Sequence, residues 1–109
     1  MSLRSHHIAF PRVRAAIDAG DLGFIRRHRA QMSLSLTVEA EVCQLIAEQD
    51  PDSLEAARVQ WIGRFSAEAN HARPGAYQAA LEAFDGLRTD PQPAVARLKE
   101  LCVTWGLGR

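Results

Sequence analysis

The chain has 109 residues, of which 47% are hydrophobic and 24% charged, a balance that excludes intrinsic disorder and provides for one modest core. Its 13 lysines and arginines match 13 acids, so a surface basic throughout is excluded while a local basic patch is not. No apolar run reaches membrane-spanning length, and "MSLRSHHIAFPRV" contains none long enough for a signal peptide. The expectation is a single cytoplasmic domain over residues 1–109, with residues 1–9 fraying and no membrane partner.

No stretch alternates as a strand would, while helical spacing recurs from end to end. Pro11 suits a first helical turn, and Val13, Ala16 and Ile17 share a face before Gly20 stops the helix. Asp21 caps a second helix with Leu22, Ile25 and Met32 on its inner side, placing His28 among core residues and leaving Arg26 and Arg27 outward, with Arg29 at the margin. A third helix runs from about Ser33 to Gln49 on a stripe of Leu34, Val38, Val42, Leu45 and Ile46. "DPDS" at 50–53 ends it, and Asp52 with Glu55 offers a capping box for a fourth helix. That helix carries Leu54, Ala57, Trp61, Ile62, Phe65 and Ala69 on one side and ends before "RPG" at 73–75. A fifth groups Tyr77, Ala80, Leu81, Phe84 and Leu87. After "TDPQP" a sixth turns Val95, Leu98, Leu101, Cys102 and Trp105 inward and stops at Gly106. The fold class is therefore all-α: a compact bundle of about six short-to-medium helices in hairpin packing. Trp61, Phe65, Tyr77 and Phe84 are the expected centre of its core.

Two short stretches carry family-like patterns. In "GAYQAALEAFDGLRTDP", Gly75, Tyr77, Ala80, Phe84 and Pro91 resemble the second helix of a tetratricopeptide repeat; Arg64, Glu68 and His71 stand where the first helix of such a repeat has apolar residues. "AIDAGDLGFIRRH", residues 16–28, resembles the helix–turn–helix of an ankyrin repeat, with Gly20 at the turn and Leu22, Phe24 and Ile25 following. Each resemblance implies a protein-binding scaffold. An array needs about three units at a fixed period, and none recurs here, so no family follows.

Chemistry-bearing patterns are sparse. Glu68 and His71 have the E-x-x-H spacing of half a di-iron site, with no second copy. Glu68 is also one turn from Arg64, in register for an ion pair. Glu39, Glu41 and Glu48 read as solvated. His6 and His7 fall in the fraying terminus. Cys43 and Cys102 form no C-x-x-C pair and sit in apolar helical patterns, so they are expected buried, unactivated and in a reducing compartment. With no nucleophile elbow, phosphate loop or dinucleotide fingerprint, the chain is expected to be neither an enzyme nor a holder of metal or cofactor.

Charge layout is the most informative surface feature. Residues 1–31 hold Arg4, Arg12, Arg14, Arg26, Arg27 and Arg29 against Asp18 and Asp21, and residues 32–57 hold six acids and no base. Arg26, Arg27 and Arg29, extended by Arg12 and Arg14, form one expected partner site, since guanidinium suits bidentate contact with carboxylate or phosphate. The other is the C-terminal end around Trp105 and Leu107, where a half-exposed tryptophan would anchor a partner or a second copy of the chain. The expected function is a small helical protein-interaction module without catalytic activity; the alternative is a nucleic-acid-binding or regulatory protein using the same arginines.

Overall fold

Helix ends in this protein are set by local backbone chemistry, and they define the architecture. A computed structural model describes residues 7–69 and 71–107, which form α1 (Phe10–Asp18), α2 (Leu22–Arg27), α3 (Leu36–Gln49), α4 (Leu54–Glu68), α5 (Pro74–Gly86) and α6 (Pro91–Thr104), with 3-10 turns at Arg29–Gln31 and Pro51–Ser53. No strand occurs among the described residues, so the fold is all-α. Contacts cluster into two compact units, one ending at Leu34 and the next beginning at Ser35.

In the first unit, Pro11 occupies the opening turn of α1, where its missing N–H would have no helical acceptor. Gly20, at φ 71°, terminates the helix. Its N–H donates to Ile17 O at 3.0 Å and that of Asp21 to Ala16 O at 2.8 Å, a Schellman pair that satisfies the last carbonyls. Asp21 then turns its carboxylate onto the Phe24 N–H at 3.0 Å and starts α2. Here the structure departs from the sequence pattern: α2 stops at Arg27 and does not run to Met32. The Gln31 and Met32 N–H groups bond three residues back, to His28 and Arg29, and this tighter winding carries later residues off the helical face. Val13, Ala16, Ile17, Leu22 and Ile25 are buried. In the segment expected to fray, Ile8 is also buried, and its N–H donates to Gln31 O at 2.9 Å. Arg4 and His6 lie outside the described residues.

The second unit is organised around α3. Ser35, whose hydroxyl accepts the Val38 N–H, starts the helix at Leu36, later than the expected Ser33. Leu36, Val38, Ala40, Val42, Cys43, Leu45 and Ile46 are all buried, a wider face than one stripe, because α3 packs against both α4 and α6. The capping box expected from Asp52 and Glu55 does not form. Residues 51–53 wind into a 3-10 turn, Ser53 Oγ donates to Asp50 Oδ2 at 2.7 Å, and Glu55 pairs instead with Arg58.

Helix α4 contributes Leu54, Trp61 and Phe65 to the core. The Trp61 ring stacks on Phe65 at 5.5 Å between centroids and meets Phe84 edge-on at 5.8 Å, while Phe65 meets Tyr77 edge-on at 5.7 Å. The four expected aromatics thus form one continuous cluster. The indole N–H of Trp61 donates to Leu36 O at 3.0 Å. Helix α5 packs chiefly on α6; a Cβ on Gly86 would stand 3.3 Å from the Ala94 Cβ, so glycine sets how closely the two helices approach. Gly106, at φ 82°, ends α6 with a second Schellman pair, Gly106 N–H to Val103 O at 3.2 Å and Leu107 N–H to Cys102 O at 2.6 Å.

Two stability tests follow. Trp61→Phe keeps most of the ring but removes the donor to Leu36 O and is expected to cost about 1–2 kcal/mol; Trp61→Ala is expected to cost about 3–5 kcal/mol, both read from denaturant midpoints. His71 adopts φ 71°, a conformation that costs a side chain with a Cβ about 1–2 kcal/mol. His71→Gly is accordingly expected to raise the unfolding free energy by about 0.5–1 kcal/mol after glycine's larger unfolded-state entropy is subtracted.

Candidate functional site

The expected arginine surface lies in the first unit and is reshaped by local contacts. Arg14 is half-buried and ion-paired with Asp18, one turn on, at 3.3 Å, so it faces the helix rather than a partner. Arg12 is exposed, with its guanidinium carbon 5.4 Å from the centre of the Phe24 ring, within cation–π range. The same ring touches the His28 imidazole at 4.6 Å between centroids. His28 is half-buried, not the core residue expected, and its Nδ1 lies 3.3 Å from Gln31 Oε1. The early end of α2 explains this difference, since His28 forms the C-cap and no longer follows the inward face.

Arg26, Arg27 and Arg29 are exposed. Arg27 folds back along α2: its Nη1 and Asp21 Oδ1 lie 3.2 and 3.7 Å from where a Cβ on Gly23 would stand. The absent side chain at Gly23 therefore leaves room for the Arg27 guanidinium to fold back over α2. Between α1 and α2 runs an open groove of about 270 Å³ lined by Arg12, Ala15, Ala16, Ala19, Asp21 and Phe24. Arg12 and Phe24 sit on its walls, and the Arg27 guanidinium comes near its Asp21 margin. Sequence reasoning named the arginines and missed the groove. Its signal is the spacing of Arg12, Ala15, Ala16 and Ala19, which puts one arginine and three small residues on a single face of α1.

Trp105 and Leu107 belong to the second unit and flank Gly106 in the turn that closes α6. Both are half-buried, while Val103, two residues before Trp105, is 66% exposed. Of the three α3 acids, Glu48 is exposed as expected, while Glu39 and Glu41 are placed differently. The Glu39 and Glu41 side chains are only 19% and 18% exposed, and they pair with Arg64 at 3.9 Å and Lys99 at 2.9 Å. Arg64 also holds Glu68 at 2.8 Å, the expected i, i+4 pair. The E-x-x-H spacing does not become a ligand pair on one helical turn: α4 ends at Glu68, and His71 lies beyond it in the left-handed region. Among the described residues no three His, Cys, Asp or Glu side chains converge as metal ligands, and no helix is long and apolar enough to cross a membrane.

Both cysteines are free and buried. Burial, reinforced by the Glu68 carboxylate and partly opposed by Arg64, pushes the Cys102 thiol up from 9.0 to about 11. A thiol in that state stays protonated at neutral pH and is a poor nucleophile. No protein-family model, curated protein or solved structure matches the chain.

The raised Cys102 value carries a sign that can be measured. Because the thiolate is more costly folded than unfolded, this contribution to stability is complete below pH 9 and is lost as pH rises from about 9 through about 11. Wild-type protein is expected to lose stability more steeply than Cys102→Ala over that interval in denaturant titrations, and to resist thiol reagents at pH 8 until unfolded.

Proposed function

We propose that this chain is a non-catalytic protein-interaction module and that the first unit supplies its docking surface. One observation carries the reading. Residues 7–34 hold five arginines against two aspartates, and both aspartates are engaged within the unit, Asp18 by Arg14 and Asp21 as the α2 cap. The exposed Arg12 and Arg27 guanidinium groups on this short hairpin favour a partner rich in carboxylates, which they grip through paired hydrogen bonds. A phosphate backbone would satisfy the same groups. However, α2 spans only six residues, too short to lie along a major groove as a recognition helix does, and the Phe24 ring is already engaged by Arg12 and His28.

The test is affinity capture from nuclease-treated lysate with wild-type protein and with Arg12→Glu/Arg27→Glu, both positions being exposed and outside the core. A protein held by the wild type and weakened at least about tenfold in the variant, with helical content unchanged, is the expected result. Recovery of nucleic acid alone before nuclease treatment, or a protein held equally by both forms, would refute the reading.

A further inference from the structure

We infer that the groove between α1 and α2 receives one apolar side chain of an acidic, helical partner segment, whose carboxylates bind Arg12 and Arg27. This inference rests on the interaction-module reading and specifies the partner's chemistry. At about 270 Å³ the groove is smaller than the roughly 300–1,000 Å³ of small-molecule sites, and Ala15, Ala16 and Ala19 give it an apolar lining without side-chain hydrogen-bonding groups. A single aliphatic or aromatic side chain meets that description. The groove is also open: Arg12, Ala15, Ala19 and Asp21, which line it, are all exposed.

Charge determines what surrounds that side chain. Arg12 stands over Phe24 in the groove's wall, and the exposed Arg27 folds back along α2 into the space above Gly23, on the side of Asp21. Asp21, the single acid lining the groove, already accepts the Phe24 N–H. Acids three or four residues on either side of a buried apolar residue lie on the same face of a helix, the arrangement by which amphipathic helices dock in grooves. Single-stranded nucleic acid would instead need an aromatic face on which bases could stack. The Phe24 ring is engaged by Arg12 and His28, and the alanine floor offers no such face.

The inference is tested on the full chain by fluorescence anisotropy with labelled synthetic probes. These are a glutamate-rich helical peptide with one central leucine, the same peptide with glutamine replacing leucine, and a single-stranded oligonucleotide of equal charge. The leucine peptide is expected to bind tightest, and the leucine-to-glutamine change to weaken it about tenfold. Ala15→Phe, which fills the groove without changing charge, is expected to weaken it similarly, and Arg12→Gln to reduce both affinity and its salt dependence. Ala15 is exposed, and circular dichroism of the variant serves as the check that it folds. Equal binding of all three probes, indifference to Ala15→Phe, or no binding of the leucine peptide would overturn the inference. Failure of this inference is separable from failure of the broader reading. A captured protein that depends on Arg12 and Arg27 but tolerates Ala15→Phe would remove the groove and leave the interaction module standing. One indifferent to all three substitutions would remove both.

Discussion

The second unit depends on how Trp61 is accommodated. Its ring is the largest in the core, 2% exposed, and it can be buried cheaply only if its single polar atom finds an acceptor. Leu36 O provides that acceptor at 3.0 Å, which fixes the middle of α4 against the first turn of α3. Once this contact is made, Phe65 stacks on one side of the ring and Phe84 closes edge-on, so α5 is positioned by the same side chain. A hydrogen bond worth about 1 kcal/mol thus orients a cluster whose apolar burial is worth several times that.

Periodicity revealed what depends on side-chain spacing. The all-α class, the six helices, the inward aromatics of α4 and α5, and both glycine stops could be read because apolar spacing and left-handed turns are written locally. The misplaced features depend on competition between neighbours. Capping by Ser35 starts α3 at Leu36 and not near Ser33, and a 3-10 turn at Pro51–Ser53 pre-empted the Asp52–Glu55 box. A second 3-10 turn ended α2 before Met32. Each alternative differs by one or two hydrogen bonds, too little for composition to decide. The candidate site shows the same division. Its arginines were visible as a charge run, whereas the groove beside them needed the relative setting of α1 and α2, and the position of Arg27 needed the space above Gly23.

Charge is distributed differently in the two units. In the second, ionic groups serve the fold: Glu39, Arg64 and Glu68 form a chain across α3 and α4, and Glu41 is tied to Lys99 on α6. Such partly exposed pairs contribute little energy individually, about 0–1 kcal/mol, but they satisfy carboxylates that packing has drawn partly out of water. In the first unit, Arg14 answers Asp18 and Asp21 caps a helix, while Arg12 and Arg27 lie on exposed surface where their charge acts outward. The neutrality of the whole chain therefore conceals a short basic segment.

Lys99 is the sole lysine of the sequence, and its ammonium is held 2.9 Å from Glu41. Lysine side-chain acylation therefore has a single address on this protein, one that already carries part of the second unit's charge balance. Acetylation there would erase the cation and deprive a carboxylate only 18% exposed of that ammonium. A surface almost entirely served by arginine keeps its positive charge through such chemistry, so the basic face of the first unit would be untouched by a modification that reaches directly into the second.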